Sequence, residues 1–171
     1  MADNGKHNVL FLCTHNSARS ILAEGILNDL AGDRFTAYSA GSYPGTQPNP
    51  FAIDLLRSRG INVDGLRSKS WDEFAVDGAP EIDFIFTVCD NAAGEVCPIW
   101  PGHPAKAHWG VPDPSVVQGG DEEKRKAFLA TFVQLRKRIE LFVNLPFGKL
   151  DRLGAQEQIQ SIGTTLSAKG E

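Results

Sequence analysis

Residues 9–20 read VLFLCTHNSARS, and this segment decides the fold. The apolar run before Cys13 predicts a buried strand over Asn8 to Leu12, because it is short and bounded by polar residues. After Arg19 the apolar residues recur at helical spacing until a closing glycine, a pattern typical of an amphipathic helix: Leu22, Ile26, Leu30, then Gly32. Thr14 to Ala18 are therefore expected to form a turn from strand to helix.

A turn of this kind favours an anion site with a nucleophile at its base. The backbone N–H groups at the start of a helix have no intrahelical acceptor, and the helix dipole adds positive potential there. Arg19 adds a planar, permanently charged donor fork that suits a tetrahedral oxyanion. The same field favours the thiolate of Cys13, to which Ser17 and Ser20 offer hydroxyl donors. The alternative is a buried strand-end cysteine beside a solvated arginine.

The composition is that of one globular domain. Of the 171 residues, 42% are hydrophobic and 22% are charged, and the net charge of −4 argues against a nucleic-acid surface. The polar start MADNGKHN lacks the apolar core of a signal peptide, and no apolar run approaches the roughly 20 residues of a membrane helix. We therefore expect a cytoplasmic protein that binds neither membrane nor nucleic acid. In that reducing compartment its three cysteines are more often catalytic, metal-binding or inert than disulfide-bonded.

Strand-like and helical segments alternate along the chain, which predicts an α/β fold with a parallel sheet. The further strands are expected at Phe35–Ala40, 82–89 and about 105–109, and the further helices at Pro50–Arg59 and about 121–144. Ligands of such sheets bind at the carboxyl ends of the strands. Because Cys13, Cys89 and Asp113 each fall at or just after such an end, they are candidates for one site. The tail, residues 147–171, shows one weak helical stretch and receives no function.

Cys89 and Cys97 in CDNAAGEVCP form the second candidate constellation. An unbroken helix would hold them about 12 Å apart, too far for a disulfide, so the segment must loop if they pair. The alternative interpretation is a buried strand-end cysteine and a loop anchor. A zinc site with His103 and His108 is disfavoured, since the close cysteine pair of structural zinc sites is missing.

Asp113 in HWGVPDPS is the third candidate, because two flanking prolines place it rigidly, as a general acid requires. The Pro-Asp-Pro sequence also suits a turn for conformational reasons alone. His15 has two interpretations, an anion-orienting side chain or a solvated turn residue.

Taken together, these motifs resemble the arsenate reductases built on the low-molecular-weight tyrosine-phosphatase fold, over roughly Val9 to Pro146. The resemblance implies a three-layer α/β/α domain at residues 1–146 with a four-stranded parallel sheet. It matches Cys13 with the nucleophile, Arg19 with the oxyanion-binding arginine and Asp113 with the acid of an Asp-Pro pair. The implied oxyanion loop comprises Thr14, His15, Asn16, Ser17, Ala18, Arg19 and Ser20.

The same resemblance implies the redox chemistry. Cys13 attacks arsenate, Cys89 attacks the Cys13–arsenic adduct so that arsenite leaves, and Cys97 resolves the Cys13–Cys89 bond into a Cys89–Cys97 disulfide. Thioredoxin, or glutaredoxin with glutathione, then reduces that disulfide. The implied protein is a detoxifying oxidoreductase that binds phosphate or sulfate as arsenate analogues. We expect a monomer with no tightly bound cofactor and no metal.

One family feature is not assigned. Asn16, Glu24 and Ser39 fit the pattern of a monovalent-cation site, but Ser68 and Ser70 leave its acidic position unfilled.

Two rival functions stay open at this stage. The first is a low-molecular-weight phosphatase for tyrosyl or small phosphates. The two extra cysteines count against it, as does the sequence SVVQGG where phosphatases place tyrosines. The second is a non-catalytic anion or arsenic sensor, which the acidic net charge and the missing DNA-binding segment disfavour.

Overall fold

The computed structural model describes residues 6–88, 104–150 and 152–167. Four strands form one sheet: β1 His7–Cys13, β2 Phe35–Gly41, β3 Phe84–Thr87 and β4 Ala105–His108. Within the described residues, four α-helices accompany these strands: α1 Arg19–Ala31, α2 Pro50–Ser58, α3 Asp121–Val143 and α4 Arg152–Ser167. Short 3-10 helices cover Trp71–Phe74, Pro114–Val116 and Phe147–Lys149.

All strand pairs of the sheet are parallel, in the order β2-β1-β3-β4. Strand β1 lies inside the sheet, so the carboxyl end that carries Cys13 has a neighbour on each side. Gly41 at the end of β2 is the register partner of Cys13. On the other side, the N–H of Val88 donates to the carbonyl of Leu12 at 2.9 Å.

Both faces of the sheet are covered, which is consistent with the three-layer α/β/α arrangement that the resemblance implies. The face with Val9 and Phe11 packs against apolar side chains of all four α-helices. The face with Leu10 and Leu12 packs against the 3-10 helix Trp71–Phe74.

The helix ends follow the local chemistry of the sequence. Asn49 caps α2 by accepting a hydrogen bond from the N–H of Phe51 at 2.8 Å, and Pro50 occupies the first helical position. Helix α2 ends just before Gly60, which has a φ of 74°. Helix α1 departs from the amphipathic pattern, since the successive residues Ile21, Leu22 and Ala23 are all buried. This helix is enclosed on more than one face because it packs against β2, α2 and α3 together.

Helix α4 lies in the stretch with only a weak helical pattern. Its residues Ala155, Ile159 and Ile162 join the same core as β1 and α3. Tertiary burial therefore stabilises a helix that its own sequence favours only slightly. Across the described residues, no helix is both long enough and apolar enough to cross a membrane.

Candidate active site

Residues 14–18 form a loop whose carbonyl groups are all engaged. The carbonyls of Thr14, His15 and Ser17 accept from the backbone N–H groups of Tyr43, Gly45 and Asn49 at 2.8, 3.0 and 2.8 Å. The carbonyl of Asn16 accepts from the Ser68 hydroxyl at 2.6 Å, and that of Ala18 from the N–H of Leu22 at 2.9 Å.

The backbone N–H groups of this loop contrast with its carbonyl groups. Within the described chain, the backbone N–H groups of 15–18 have no acceptor. Unpaired N–H groups at a helix start form a concave site for an anion. The loop therefore offers a set of backbone donors that suits an oxyanion.

Cys13 stands at the start of this loop with only 4% of its surface exposed. Close packing against β2 requires a glycine at the register partner, Gly41. A Cβ atom at Gly41 would lie 2.4 Å from the carbonyl oxygen of Thr14 and 2.9 Å from that of Cys13. The missing side chain at Gly41 thus lets the loop begin directly against the neighbouring strand.

Asn16 fixes the centre of the loop. Among the described residues it is the one non-glycine residue with positive φ, at 51°, and it is completely buried. Its Nδ2 donates to the hydroxyl oxygens of Ser20 and Ser39 at 2.8 and 3.0 Å, and its Oδ1 accepts from the N–H of Lys69 at 2.9 Å. Because Ser20 accepts from Asn16, its own hydroxyl hydrogen is left for another acceptor.

A buried ion pair completes a closed ring around Asn16. The Ser39 hydroxyl donates to Oε1 of Glu24 at 2.5 Å, and the ammonium of Lys69 lies 3.9 Å from the same oxygen. The Lys69 ammonium also donates to the carbonyl of Arg67 at 2.9 Å. The ring therefore runs from Asn16 through Ser39, Glu24 and Lys69 back to Asn16.

Burial opposes the charge on both members of this pair. It raises the pKa of the Glu24 carboxyl above its usual range, and the Lys69 ammonium and the Ser39 hydroxyl pull that pKa back down. Burial also lowers the pKa of the Lys69 ammonium, which the Glu24 carboxylate opposes. Each charge is tolerated inside the protein because the other is present.

Arg19 and Asp113 meet at the open side of the loop. The Nη1 of Arg19 donates to the carbonyl of Val111 at 3.1 Å, and its Nη2 lies 3.3 Å from Oδ2 of Asp113. The Nε of Arg19 is buried and has no hydrogen-bond acceptor within the described residues. A buried guanidinium donor without an acceptor is costly, and a bound oxyanion would satisfy it.

Asp113 is held in place by Ser115, two residues further along the chain. Its Oδ1 accepts from the N–H and the hydroxyl of Ser115 at 2.9 and 2.7 Å, which caps the 3-10 helix Pro114–Val116. The structure therefore brings Cys13, Arg19 and Asp113 to the carboxyl ends of the strands. Cys89 and Cys97 lie outside the described residues, as does His103.

The described histidines with a predicted role, His15 and His108, have different hydrogen-bond partners. The Nδ1 of His15 lies 3.0 Å from the carbonyl of Tyr43, so the exposed ring is engaged away from the loop N–H groups. His108 in β4 has its Nδ1 2.8 Å from the Thr87 hydroxyl. The described residues contain no group of three His, Cys, Asp or Glu side chains that could hold a metal ion.

Sequence reasoning gave no supporting role to several groups that contact the residues of the site. Lys69 and the carbonyl of Val111 contact Asn16 and Arg19, and neither was assigned a role from the sequence. Ser68, which the sequence brought up only for the cation pattern, donates to the carbonyl of Asn16. Arg138 on α3 is buried and donates to the carbonyls of Trp109 and Gly110 at 3.0 Å each. The one signal in the sequence was an arginine placed on the apolar stripe of α3.

A cysteine, an anion loop and an arginine after a parallel strand are the features of phosphotyrosine phosphatases of low molecular weight. The chain belongs to the low molecular weight phosphotyrosine protein phosphatase family, whose sequence profile matches residues 8–156.

Within this family, the similar proteins include enzymes that reduce arsenate. The chain is 37% identical over 138 residues to an arsenate reductase of Halalkalibacterium halodurans, covering 80% of this chain and 95% of that protein. It is 36% identical over 135 residues to the arsenate reductase of Bacillus subtilis strain 168, covering 78% and 93%.

Solved structures show the same fold. A thioredoxin-dependent arsenate reductase of Corynebacterium glutamicum superposes with a TM-score of 0.55 at 26% identity, covering 82% of this chain and 65% of that one. The low molecular weight protein tyrosine phosphatase of T. tengcongensis superposes with a TM-score of 0.61 at 25% identity, covering 79% and 99%.

Proposed function

We propose that this protein reduces arsenate to arsenite in arsenic detoxification. Arsenate is a tetrahedral oxyanion of the kind that the loop N–H groups and Arg19 suit. Relatives at 36–37% identity over most of the chain carry the name arsenate reductase, which supports this substrate.

One observation carries the proposal. The N–H of Val88 is hydrogen-bonded to the carbonyl of Leu12, and the residues that follow these two are Cys89 and Cys13. Cys89 therefore follows directly after a residue that is hydrogen-bonded to β1, the strand that ends in the nucleophile Cys13. A hydrolase needs only water at this place, whereas a reductase needs a second thiol.

The first step is attack by the Cys13 thiolate on arsenic. The loop N–H groups and the Arg19 guanidinium stabilise the negative charge of the oxyanion and of the thiolate. One oxygen leaves as water after it takes a proton, and Asp113 beside Arg19 is the proposed donor of that proton. The product is a covalent Cys13–arsenic(V) adduct.

The second step moves two electrons. The Cys89 thiolate attacks the sulfur of Cys13, a Cys13–Cys89 disulfide forms, and arsenic leaves with the bonding pair as arsenite. Cys97 then attacks Cys89, which releases Cys13 as thiolate and leaves a Cys89–Cys97 disulfide. Thioredoxin is the proposed reductant of this disulfide, and the thioredoxin-dependent neighbour supports that choice over glutaredoxin.

We also propose that the protein is cytoplasmic, since the cycle requires its three cysteines to start as thiols, and the cytoplasm keeps thiols reduced. We propose a monomer, because all three cysteines of the relay belong to one chain.

Steady-state arsenite formation tests the proposal. The purified protein is assayed with arsenate and either the thioredoxin system or glutaredoxin with glutathione. We expect turnover with thioredoxin and not with glutaredoxin, and no turnover by Cys13→Ser or Cys97→Ser with thioredoxin. Repeated turnover by Cys97→Ser would overturn the three-cysteine relay, and turnover with glutaredoxin alone would overturn the choice of reductant.

A phosphatase is the second candidate, because the family and one structural neighbour are named for that activity. The same loop N–H groups suit phosphate, and Asp113 beside Arg19 is the proposed donor of a proton to the leaving oxygen. Hydrolysis of 4-nitrophenyl phosphate at a rate above that of arsenate reduction would favour it. We expect the reverse order of rates.

A further inference from the structure

Helix α4 packs along the outer edge of β4. Among the described strands, β4 is the outermost in the sheet order, so this edge faces away from β3. The side-chain amide of Gln156 on α4 pairs with both backbone groups of Lys106. The N–H of Lys106 donates to Oε1 at 2.9 Å, and Nε2 donates to the carbonyl. The helix is thereby fixed in register against β4.

Helix α4 also holds Trp109, the residue directly after β4. The indole Nε1 donates to the carbonyl of Ile159 at 2.9 Å, and the ring stacks on Phe86 with 3.7 Å between centroids. A Cβ atom at Gly163 would lie 2.4 Å from the carbonyl oxygen of His108 and 2.8 Å from Cδ1 of Trp109. A glycine is therefore required for the helix to approach this closely.

Trp109 begins the irregular segment 109–113, which contacts Arg19. Arg138 binds the carbonyls of residues 109 and 110, and the next carbonyl, that of Val111, accepts from Arg19. Two residues further on, Asp113 lies beside the same guanidinium. A continuous set of contacts thus runs from α4 through Trp109 to Arg19 and Asp113.

We propose that Trp109 is a positioning residue for the reaction, and that α4 sets the position of Arg19 and Asp113 by fixing it. The match to the family ends at residue 156, so most of α4 lies beyond it. The helix would then be a device by which this chain supports its site. The proposal rests on the proposed function for the roles of Arg19 and Asp113.

Two variants test it in the full-length protein. Trp109→Phe removes the indole N–H and retains an aromatic ring against Phe86. Gly163→Ala keeps every hydrogen-bonding group, favours the helix by its own propensity and forces α4 away from Trp109. Ser161→Ala, on the exposed side of α4, is the matched control. Arsenite formation is measured with dithiothreitol as the sole reductant, so the result is independent of the protein partner.

We expect both variants to lose about ten- to a hundredfold in turnover, as a misplaced catalytic group does, and Ser161→Ala to lose none. Amide hydrogen exchange in residues 109–113 should rise in the same two variants while that of β1 stays slow. Wild-type turnover in both variants would overturn the proposal. So would lost turnover without faster exchange at 109–113.

The variant Asp113→Ala distinguishes the positioning role of Trp109 from the acid role that the proposed function gives to Asp113. If it retains full turnover, the acid role of Asp113 fails. The proposal for Trp109 is then still judged on its own two variants, through the contact of Arg19 with Val111.

Discussion

Asn16 adopts a left-handed backbone conformation at the centre of the anion loop. Its side chain belongs to a ring of contacts that includes the buried ion pair of Glu24 and Lys69. The pair couples the charge of Glu24 to the geometry of the loop. Neither Glu24 nor Lys69 contacts the N–H groups of the loop. The Lys69 ammonium favours the ionised form of Glu24, and this determines whether the Ser39 hydroxyl donates to a carboxylate or to a neutral carboxylic acid. The single residue with most influence on this coupling is Lys69.

Replacing the Lys69 ammonium should destabilise the protein in a pH-dependent manner. Burial already raises the pKa of Glu24 above its value in the unfolded chain, and in Lys69→Met the opposing ammonium is gone, so that pKa rises further. A raised pKa favours folding while the group is protonated, and this advantage is lost as the pH rises through the folded value. We expect Lys69→Met to cost about 3 kcal/mol at pH 8 and clearly less at pH 5.

Urea unfolding at the two pH values measures this difference. Lys137→Met, at an exposed position on α3, is the control for loss of a lysine. Adding Glu24→Gln to Lys69→Met should abolish the pH dependence of the deficit. A deficit equal at pH 5 and pH 8 would show that Glu24 is not the titrating group.

At the scale of elements, the close approach of β2 to the loop is the contact most sensitive to volume. Gly41→Ala places a methyl group 2.4 Å from the Thr14 carbonyl oxygen, and the loop must move to admit it. We expect a loss of about 1–3 kcal/mol in stability together with weaker oxyanion binding. Calorimetric titration of the reduced protein with sulfate, a tetrahedral analogue that the cysteines do not reduce, measures the affinity.

Gly45→Ala is the matched control, because its Cβ atom would lie 3.9 Å from the nearest atom, the carbonyl oxygen of His15. Equal effects of the two substitutions would contradict the steric explanation.

Elements with a strong local signal were predictable from the sequence. Strand β1 followed from its apolar run, and α2 from Asn49, Pro50 and Gly60 at its ends. Helix α4 was indicated only weakly, because its stability comes from burial against β4 and α3 rather than from its own pattern. The anion loop was predictable because its polar residues are contiguous. The ring through Lys69 was not, since its members meet only after β2 and the segment before Trp71 have folded against α1.

At the scale of the whole molecule, anion binding and folding are linked. A ligand that binds only the folded state at a hundredfold excess over its dissociation constant adds about 2.7 kcal/mol. For a chain of this length that corresponds to a rise of about 5–10 °C in melting temperature. Phosphate and sulfate, which bind without being reduced, should each produce this rise in the reduced protein, because both fit a tetrahedral oxyanion site.

Differential scanning fluorimetry measures the shift, with chloride at equal ionic strength as the control. Arg19→Lys should lose most of the shift, since an ammonium lacks the planar donor fork. A shift of the same size with chloride would show that the effect is general screening rather than occupation of the loop.

The account depends on a reduction that starts at Cys13, and a single-turnover experiment tests that most directly. Fully reduced protein is mixed with arsenate in the absence of any other reductant, quenched by alkylation, and analysed for arsenite and by peptide mass spectrometry. The account predicts about one arsenite per chain, a Cys89–Cys97 disulfide and an alkylated Cys13, with a Cys13–Cys89 disulfide in Cys97→Ser. Arsenite formation by Cys13→Ser, or none by the native protein, would contradict it.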